Sequence, residues 1–277
     1  MKNAKQIWEE TAKQLEKVYD AREAENITYL LMEDLFKISK AAILSEELVH
    51  VDEAGLSNAL ERLLNHEPIQ YMTGLADFYG RQFQIEKGAL IPRPETEELI
   101  SLIKSNVRIK EPKMLDVGTG SGCIAITLSL EIGGIVFGTD ISSKALNIAH
   151  DNAKKLNAKV SFIEHDILQN DLTLSDLDVL VSNPPYIPQK ERNQMSQNVT
   201  DFEPDLALFV PDDDPLLFYR RIATSGKNVL KSGGMLFFEI HENFGKQTKE
   251  LLEGLNYSVV KVHKDMQGKD RLVSAIN

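Results

Sequence analysis

From about residue 113 onward the chain alternates short apolar runs with amphipathic ones, and no other feature limits its fold so tightly. Lys113 to Val117, Gly134 to Thr139, Val160 to Glu164 and Leu177 to Ser182 have the length and composition of buried strands. Helical patterns fill the gaps, from Cys123 to Leu130 and from a Ser142 cap to about Leu156. A helix from about Pro215 to Leu230, a strand from Met235 to Ile240 and a helix from near Glu242 to Leu255 continue the series. Strands that alternate with helices imply a mainly parallel sheet covered on both faces, an α/β fold. The last two runs, Tyr257 to Val262 and Arg271 to Ile276, lie close together and predict an antiparallel hairpin at one edge.

The first 73 residues have a different texture. Ile7, Trp8, Thr11, Leu15 and Val18 recur at helical steps, as do Ile27, Leu30, Leu31 and Leu35. A third segment, about Asp52 to Asn65, carries Leu56, Leu60, Leu63 and Leu64 on one stripe, with Asp52 as N-cap. These residues predict a small helical domain with little strand. From Glu67 to Gly74 the helical period is lost, and the alternation around Phe78-Tyr79-Gly80 and Phe83-Gln84-Ile85 predicts a hairpin linker over 74–90. The α/β domain then spans 91–277. Ile91-Pro92-Arg93-Pro94-Glu95-Thr96-Glu97 opens it as a rigid loop, with Pro94 at the start of a helix and acids in its first turn. This loop either caps that helix or takes part in the chemistry.

Composition removes several function classes. With 42% hydrophobic and 26% charged residues among 277, the chain reads as an ordinary soluble globular protein. No apolar run approaches membrane-spanning length and the amino terminus lacks a signal-peptide core, so a cytoplasmic address is expected. A single cysteine, Cys123, excludes an intrachain disulfide, and the six histidines are scattered singly, which argues against a metal site. A formal charge of −11 argues against binding dominated by nucleic-acid phosphates.

Two loops carry the chemistry. Asp116-Val117-Gly118-Thr119-Gly120-Ser121-Gly122 follows a strand and opens a helix, so its backbone can approach a ligand closely. Dinucleotide sites favour G-x-G-x-x-G; here the third glycine comes one residue early, a spacing common in turns that hold S-adenosylmethionine. The donor's carboxylate is expected to use free N–H groups at the helix start. Asp140, ending the second strand, is placed to accept from both hydroxyls of a ribose. Asp166, ending the third, either accepts from an adenine amino group with Ile167 packed on the ring or is a turn aspartate. Cys123 reads as a small buried residue.

The fourth strand ends in Asn183-Pro184-Pro185-Tyr186. Two prolines forbid further ladder bonds and fix the backbone at the carboxyl edge of the sheet, where α/β folds bind ligands. An amide or aromatic amino nitrogen is a poor nucleophile because its lone pair is delocalised. Methylating it requires the N–H groups to be held so that the lone pair faces the methyl. The Asn183 side-chain oxygen and the Pro184 carbonyl are two such acceptors, and they also stabilise the positive charge that develops on nitrogen. Tyr186 offers a face to a planar group.

Together these loops resemble the class I, Rossmann-like S-adenosylmethionine-dependent methyltransferases that modify planar nitrogens. The tetrapeptide alone leaves adenine-N6 nucleic-acid enzymes and protein-glutamine enzymes both open. Pro68-Ile69-Gln70-Tyr71-Met72-Thr73-Gly74, Ile91 to Glu97, Glu203-Pro204 with Ala207-Leu208, Phe238-Glu239-Ile240 and Asp265 to Arg271 are similar to the PrmC/HemK family. Those enzymes are release factor glutamine N5-methyltransferases. The resemblance implies that Gly118 to Gly122, Asp140 and Asn183 contact the donor and that Asn183 to Tyr186 grip the substrate amide. It implies that Arg93 and Glu95 help close the site, and that class I release factors are the partner. Two departures stand out. His241 occupies a position where the family usually has Gly, and Phe209 to Asp214 replaces a more glycine-rich loop.

Overall fold

Seven strands build the central sheet: β1 Lys113–Val117, β2 Ile135–Asp140, β3 Val160–Glu164, β4 Leu177–Ser182, β5 Leu230–Glu239, β6 Ser258–Lys264 and β7 Asp270–Ile276. Their spatial order is β6-β7-β5-β4-β1-β2-β3. β1 to β5 pair in parallel, and β7 runs antiparallel to both β5 and β6. The chain steps outward from β1 through β2 to β3, then returns to lay β4 on the other side of β1. That reversal opens a crevice at the carboxyl ends of β1 and β4, where open α/β sheets bind ligands. The structure, a computed structural model, describes residues 1–277.

All six residues of β4 are buried, as a central parallel strand requires. Its one acid, Asp178, is satisfied at the strand's start by the Lys113 N–H at 2.8 Å and the Lys231 ammonium at 2.7 Å. Side chains alternate across the sheet. Met114, Val179, Val181 and Phe237 enter one apolar cluster, while Leu115, Leu180, Leu236 and Phe238 enter the other. Helices α1 (Pro94–Asn106) and α2 (Cys123–Glu131) pack on the first side, where α3 (Ser143–Lys155) contributes Ala153. α4 (Leu217–Val229) and α5 (Gly245–Gly254) pack on the second through Tyr219, Ile222 and Leu252. Residues 123 to 128 of α2 are buried on every side of the helix, which explains a helix without an amphipathic pattern.

Packing divides the chain into two units, Met1–Leu75 with Ser196–Phe202, and Ala76–Met195 with Glu203–Asn277. In the first, helices Ala4–Leu15, Ala21–Leu30, Lys40–Leu44 and Glu53–Leu64 begin at side-chain caps from Asn3, Asp20, Ser39 and Asp52. Leu15, Leu31, Leu60 and Leu63 form one apolar cluster, and Ile7, Met32, Ile38 and Ile43 form a second. Three local expectations change here. Val18 lies beyond the end of the first helix, because the helix stops at Leu15. Lys2–Asn3 pairs with Leu48–Val49 as a two-residue ladder, too short to leave a period-two signal. The stretch after Glu67 contains a short helix, Ile69–Thr73, entered from Pro68 and ended by Gly74 at φ 72°.

The hairpin Leu75–Phe78 and Arg81–Gln84 turns through Tyr79 and Gly80, with φ of 49° and 71°. Positive φ at both positions matches the twist of a two-residue hairpin. Its Phe78 and Phe83 are buried in the α/β core, and Asn152 of α3 bonds both backbone groups of Gln84, at 2.6 and 2.9 Å. This segment is therefore part of the α/β packing and more than a linker. β5 begins five residues before the expected Met235, with an irregular pairing between Leu230 and Met235 and Gly233 at φ 80°. No helix is long and apolar enough to cross a membrane.

Candidate active site

The turn after β1 is shaped by three glycines with positive φ: 74° at Gly118, 55° at Gly120 and 83° at Gly122. A Cβ added at Gly118 or Gly120 would meet nothing within 4 Å, so these two leave an open cradle. At Gly122 a Cβ would lie 2.9 Å from Ile126 and 3.0 Å from Ala149, so this glycine serves helix packing. Four of the turn's five N–H groups are used inside the protein. Gly118 and Thr119 both donate to the Thr139 carbonyl at 2.8 Å, Gly122 donates to Thr119, and Gly120 donates to the Asp140 carboxylate at 2.8 Å. The expected supply of free N–H groups for a carboxylate is thus narrower than the spacing suggests. The cradle offers close backbone approach instead.

Asp116, ahead of the turn, is fully buried. Its Oδ2 accepts from the Thr119 hydroxyl at 2.7 Å, while Oδ1 is buried without a partner of hydrogen-bonding geometry. Burial pushes this carboxyl up to about 7 against the pull of Thr119 and the Ala125 N–H. Asp140 accepts one backbone N–H on each oxygen, from Gly120 at 2.8 Å and Ser142 at 2.9 Å. Each carboxylate oxygen keeps a further acceptor site, enough for two ribose hydroxyls. Burial raises the Asp140 carboxyl too, partly offset by those N–H groups and that of Ile141. An open glycine cradle, a buried unpaired acid and a doubly anchored acid with spare acceptors together fit S-adenosylmethionine, a cationic ligand with a ribose diol.

Asp166 sits two residues past β3, and His165 donates its N–H to the Asp140 carbonyl at 2.9 Å, which draws the two strand ends together. The Asp166 Oδ1 accepts from the Leu168 N–H at 2.9 Å, the geometry of a turn aspartate. Ile167 is buried in the core cluster, so little of its side chain is left to cover a ring. Cys123 is buried and its thiol is pushed up to about 12 by burial, as expected of a packing residue.

At the end of β4 the tetrapeptide is tied into a buried polar network. The Tyr186 hydroxyl donates to Glu239 Oε1 at 3.1 Å, and Thr96 Oγ1 donates to Glu239 Oε2 at 2.7 Å. Asn183 Nδ2 donates to the same Thr96 hydroxyl at 3.3 Å. Glu239 is 1% exposed and Thr96 2%. Burial raises the Glu239 carboxyl, while the two hydroxyls and the Arg271 charge act in the opposite direction. Tyr186 is raised well above the usual phenol range by burial and by Glu239, so it stays protonated. Its ring lies edge-on to His241, with centroids 6.1 Å apart.

Arg93 pairs with Glu203, whose other oxygen accepts the Ile91 N–H at 3.0 Å. Glu203 has a side chain only 1% exposed, so this clasp fixes the loop before α1 against the segment that follows the tetrapeptide. Arg93 also acts electrostatically on Tyr186, and Glu95 on Glu239, which places both near the network. His241 adopts ordinary backbone angles, so the turn there needs no glycine. Its Nδ1 accepts from the Asn243 N–H at 3.1 Å, which leaves Nε2–H to donate to Glu191 at 3.0 Å. The Phe209–Asp214 segment forms a rim of its own. Phe209–Val210 pairs in parallel with Ile187–Pro188, and Asp212 accepts the Lys190 N–H at 2.8 Å. Sequence reasoning assigned no role to Thr96, Glu239 or Glu203. The local signals were their places in the family-like segments Ile91 to Glu97, Glu203-Pro204 and Phe238-Glu239-Ile240, and the acid Glu239 within the otherwise apolar run Met235 to Ile240.

Comparison with known proteins accords with this geometry. Residues 6–74 match the family model described as PrmC N-terminal domain, and residues 94–201 match that described as methyltransferase small domain. A methyltransferase structure from Pyrococcus furiosus shares the fold at a TM-score of 0.54 and 17% identity, covering 79% of this chain and 98% of that one. The release factor glutamine methyltransferase of Bacteroides thetaiotaomicron is 42% identical, over 94% of this chain and 95% of its own length. That of Flavobacterium psychrophilum is 40% identical over 94% of each, and that of Lactococcus lactis 36% over 88% and 90%. With this similarity along nearly its whole length, the chain belongs to the release factor glutamine methyltransferase family.

Proposed function

We propose that this protein transfers a methyl group from S-adenosylmethionine to the side-chain amide nitrogen of the glutamine in the Gly-Gly-Gln loop of class I release factors. The observation that carries this reading is Asn183-Pro184-Pro185-Tyr186 at the carboxyl end of β4, beside the open glycine cradle after β1, in a chain of this family. Gly118 to Gly122 and Asp140 would hold the donor, and Asp166 with Ile167 would border it. The donor supplies an activated methyl. The protein's part is to bind, orient and stabilise charge.

The Asn183 side-chain oxygen and the Pro184 carbonyl accept the two N–H groups of the substrate amide, which turns its lone pair away from them. As nitrogen becomes positive, the same acceptors stabilise it more strongly than in the ground state. Pro185 fixes the backbone that presents both, and Tyr186, held by Glu239, packs against the amide plane. No base of shifted pKa is needed, because the methylated nitrogen is acidic and loses its proton afterwards. Arg93 and Glu95 belong to the loop that closes this end of the site, and the helical unit docks the release factor. A cytoplasmic setting follows from such a substrate.

The test is to incubate a recombinant class I release factor with the protein and S-adenosylmethionine, then examine the Gly-Gly-Gln peptide by mass spectrometry. One added methyl on that glutamine is expected, with no labelling of DNA or RNA. Methylation of nucleic acid alone would overturn the assignment.

A further inference from the structure

An asparagine side chain is nearly symmetric in shape, yet its two ends have opposite chemistry. If Asn183 is to accept a substrate N–H, its oxygen must face the substrate and its NH2 must be held elsewhere. Nothing in the tetrapeptide itself enforces that choice. We infer that Thr96 and Glu239 are positioning residues that fix the direction of the Asn183 amide, so that Oδ1 and never Nδ2 is presented to the substrate.

The direction of the amide is set by the donors and acceptors along a chain of three side chains, Glu239, Thr96 and Asn183. An ionised carboxylate only accepts. Both Glu239 oxygens take hydroxyl donors, Tyr186 on Oε1 at 3.1 Å and Thr96 on Oε2 at 2.7 Å. Thr96 has one hydroxyl hydrogen, and the carboxylate claims it. Toward Asn183, 3.3 Å away, Thr96 therefore presents a lone pair, which an amide NH2 can meet and an amide oxygen cannot. The flipped amide would set oxygen against oxygen in a place where Thr96 is only 2% exposed. The negative charge of Glu239 thus acts through two bonds to set the polarity of a group at the substrate. Arg271 stands electrostatically close to Glu239 and supports its charge.

The role requires these partners to arrive from distant parts of the chain. Thr96 lies in the first turn of α1, Glu239 ends β5 and Asn183 follows β4. Contact between α1 and β5 brings them together, so the loop containing Arg93 and Glu95 is also tied to the orientation of Asn183.

This inference rests on the proposed role of Asn183, and a set of near-isosteric variants tests the two separately. Glu239→Gln keeps the volume and can still accept from Tyr186, but its NH2 donates to Thr96. The Thr96 hydrogen is then free to donate to Asn183 Oδ1, which turns the amide the wrong way. Thr96→Val removes the relay, and Thr96→Ser retains it. With release factor and S-adenosylmethionine both saturating, we expect kcat to fall about fivefold in Thr96→Val, the scale of one lost hydrogen bond, and further, about twentyfold, in Glu239→Gln. Thr96→Ser recovers most of the rate. The Kd for S-adenosylmethionine changes little in all three, Thr96→Val lowers Tm because it leaves a buried Glu239 oxygen without its donor, and the Asn183 side-chain amide NMR signals, assigned with Asn183→Ala, shift in Thr96→Val and Glu239→Gln. A merely structural role predicts an unchanged kcat and unshifted Asn183 amide signals in Glu239→Gln, since neutralising a buried acid at constant shape does not weaken the packing. Wild-type kcat in Thr96→Val, with Asn183→Ala inactive, would overturn the relay and leave the role of Asn183 standing. Wild-type kcat in Asn183→Ala would overturn that role itself.

Discussion

On the proposed mechanism, replacing Asn183 by alanine removes one acceptor from the substrate amide and almost nothing from the fold. The side chain is half-buried, and its hydrogen bond within the protein is the 3.3 Å contact from Nδ2 to Thr96. Thr96 keeps its 2.7 Å bond to Glu239 in the variant, so the stability cost is limited to about 1 kcal/mol or less, or roughly 2–4 °C in Tm. The expected catalytic cost is larger, because in the proposed mechanism the lost acceptor faces a charge that exists only as the methyl is transferred. Losing one preorganised partner of a developing charge raises the barrier by about 2.7–4 kcal/mol, a factor of roughly 10²–10³ in kcat. The assay is single-turnover methylation of a class I release factor with S-adenosylmethionine saturating, read by mass spectrometry of the Gly-Gly-Gln peptide. Calorimetry alongside it should show donor binding still measurable. A rate within about threefold of wild type, with donor binding intact, would refute the idea that Asn183 holds the reacting amide.

Gly120→Ala and Gly122→Ala should fail in different ways. At Gly120 the new methyl meets no protein atom and points into the open cradle, so donor affinity should fall at least about tenfold by calorimetry while Tm drops only by the roughly 1–2 kcal/mol cost of a left-handed alanine. At Gly122 the methyl collides with Ile126 and Ala149, so Tm should fall further than in Gly120→Ala. For Asp116 the sign follows from burial. Its folded-state carboxyl is raised to about 7 from 3.8, so its contribution to stability is fully present below the lower value and is lost as pH rises through the upper one. Asp116→Asn should therefore stabilise the ligand-free protein more at pH 8 than at pH 5, by up to about 3 kcal/mol, and a difference that does not vary with pH in thermal melts would contradict this. Glu203→Ala leaves Arg93 and the Ile91 N–H unpaired and should cost about 2–3 kcal/mol in urea unfolding, the usual range for a broken buried pair reduced because Arg93 is 33% exposed. Glu203→Gln, which still accepts from Ile91, should cost about half as much.

What could be read from the sequence was what neighbouring residues decide among themselves. Lys113–Val117, Val160–Glu164 and Leu177–Ser182 begin and end where the apolar runs do, and Ser142 caps its helix through the Ala145 N–H. The antiparallel pairing of β6 with β7 at the sheet edge likewise followed from their short connection, whereas the insertion of β7 between β5 and β6 did not. The glycine turn and the tetrapeptide were legible for the same reason, since each is a contiguous run whose backbone is fixed by its own glycines or prolines. The site as a working unit was not legible. Thr96 meets Glu239 across 143 positions, Asn183 meets Thr96 across 87, and Glu203 meets Arg93 across 110. No period or motif encodes such pairings. Residues 196–202 are harder still, because they leave the α/β unit to pack with the amino-terminal helices and return at Glu203.

The buried acids show why this division matters for chemistry. Asp116, Asp140 and Glu239 stand at the ends of three strands that the sequence reading located, but strand position alone predicts only that each carboxylate lies near the ligand edge. Their burial raises all three, and neither Asp116 nor Asp140 has a lysine or arginine acting on it. Uncompensated carboxylates in a low-dielectric site favour a cation there, and the donor brings a sulfonium while the reacting nitrogen becomes positive. Glu239 has Arg271 and two hydroxyls to offset its burial, whereas for Asp116 and Asp140 a bound cation would offset it. These acids are thus consistent with the proposed mechanism, in which the site stabilises the transferred charge and does not need to remove a proton.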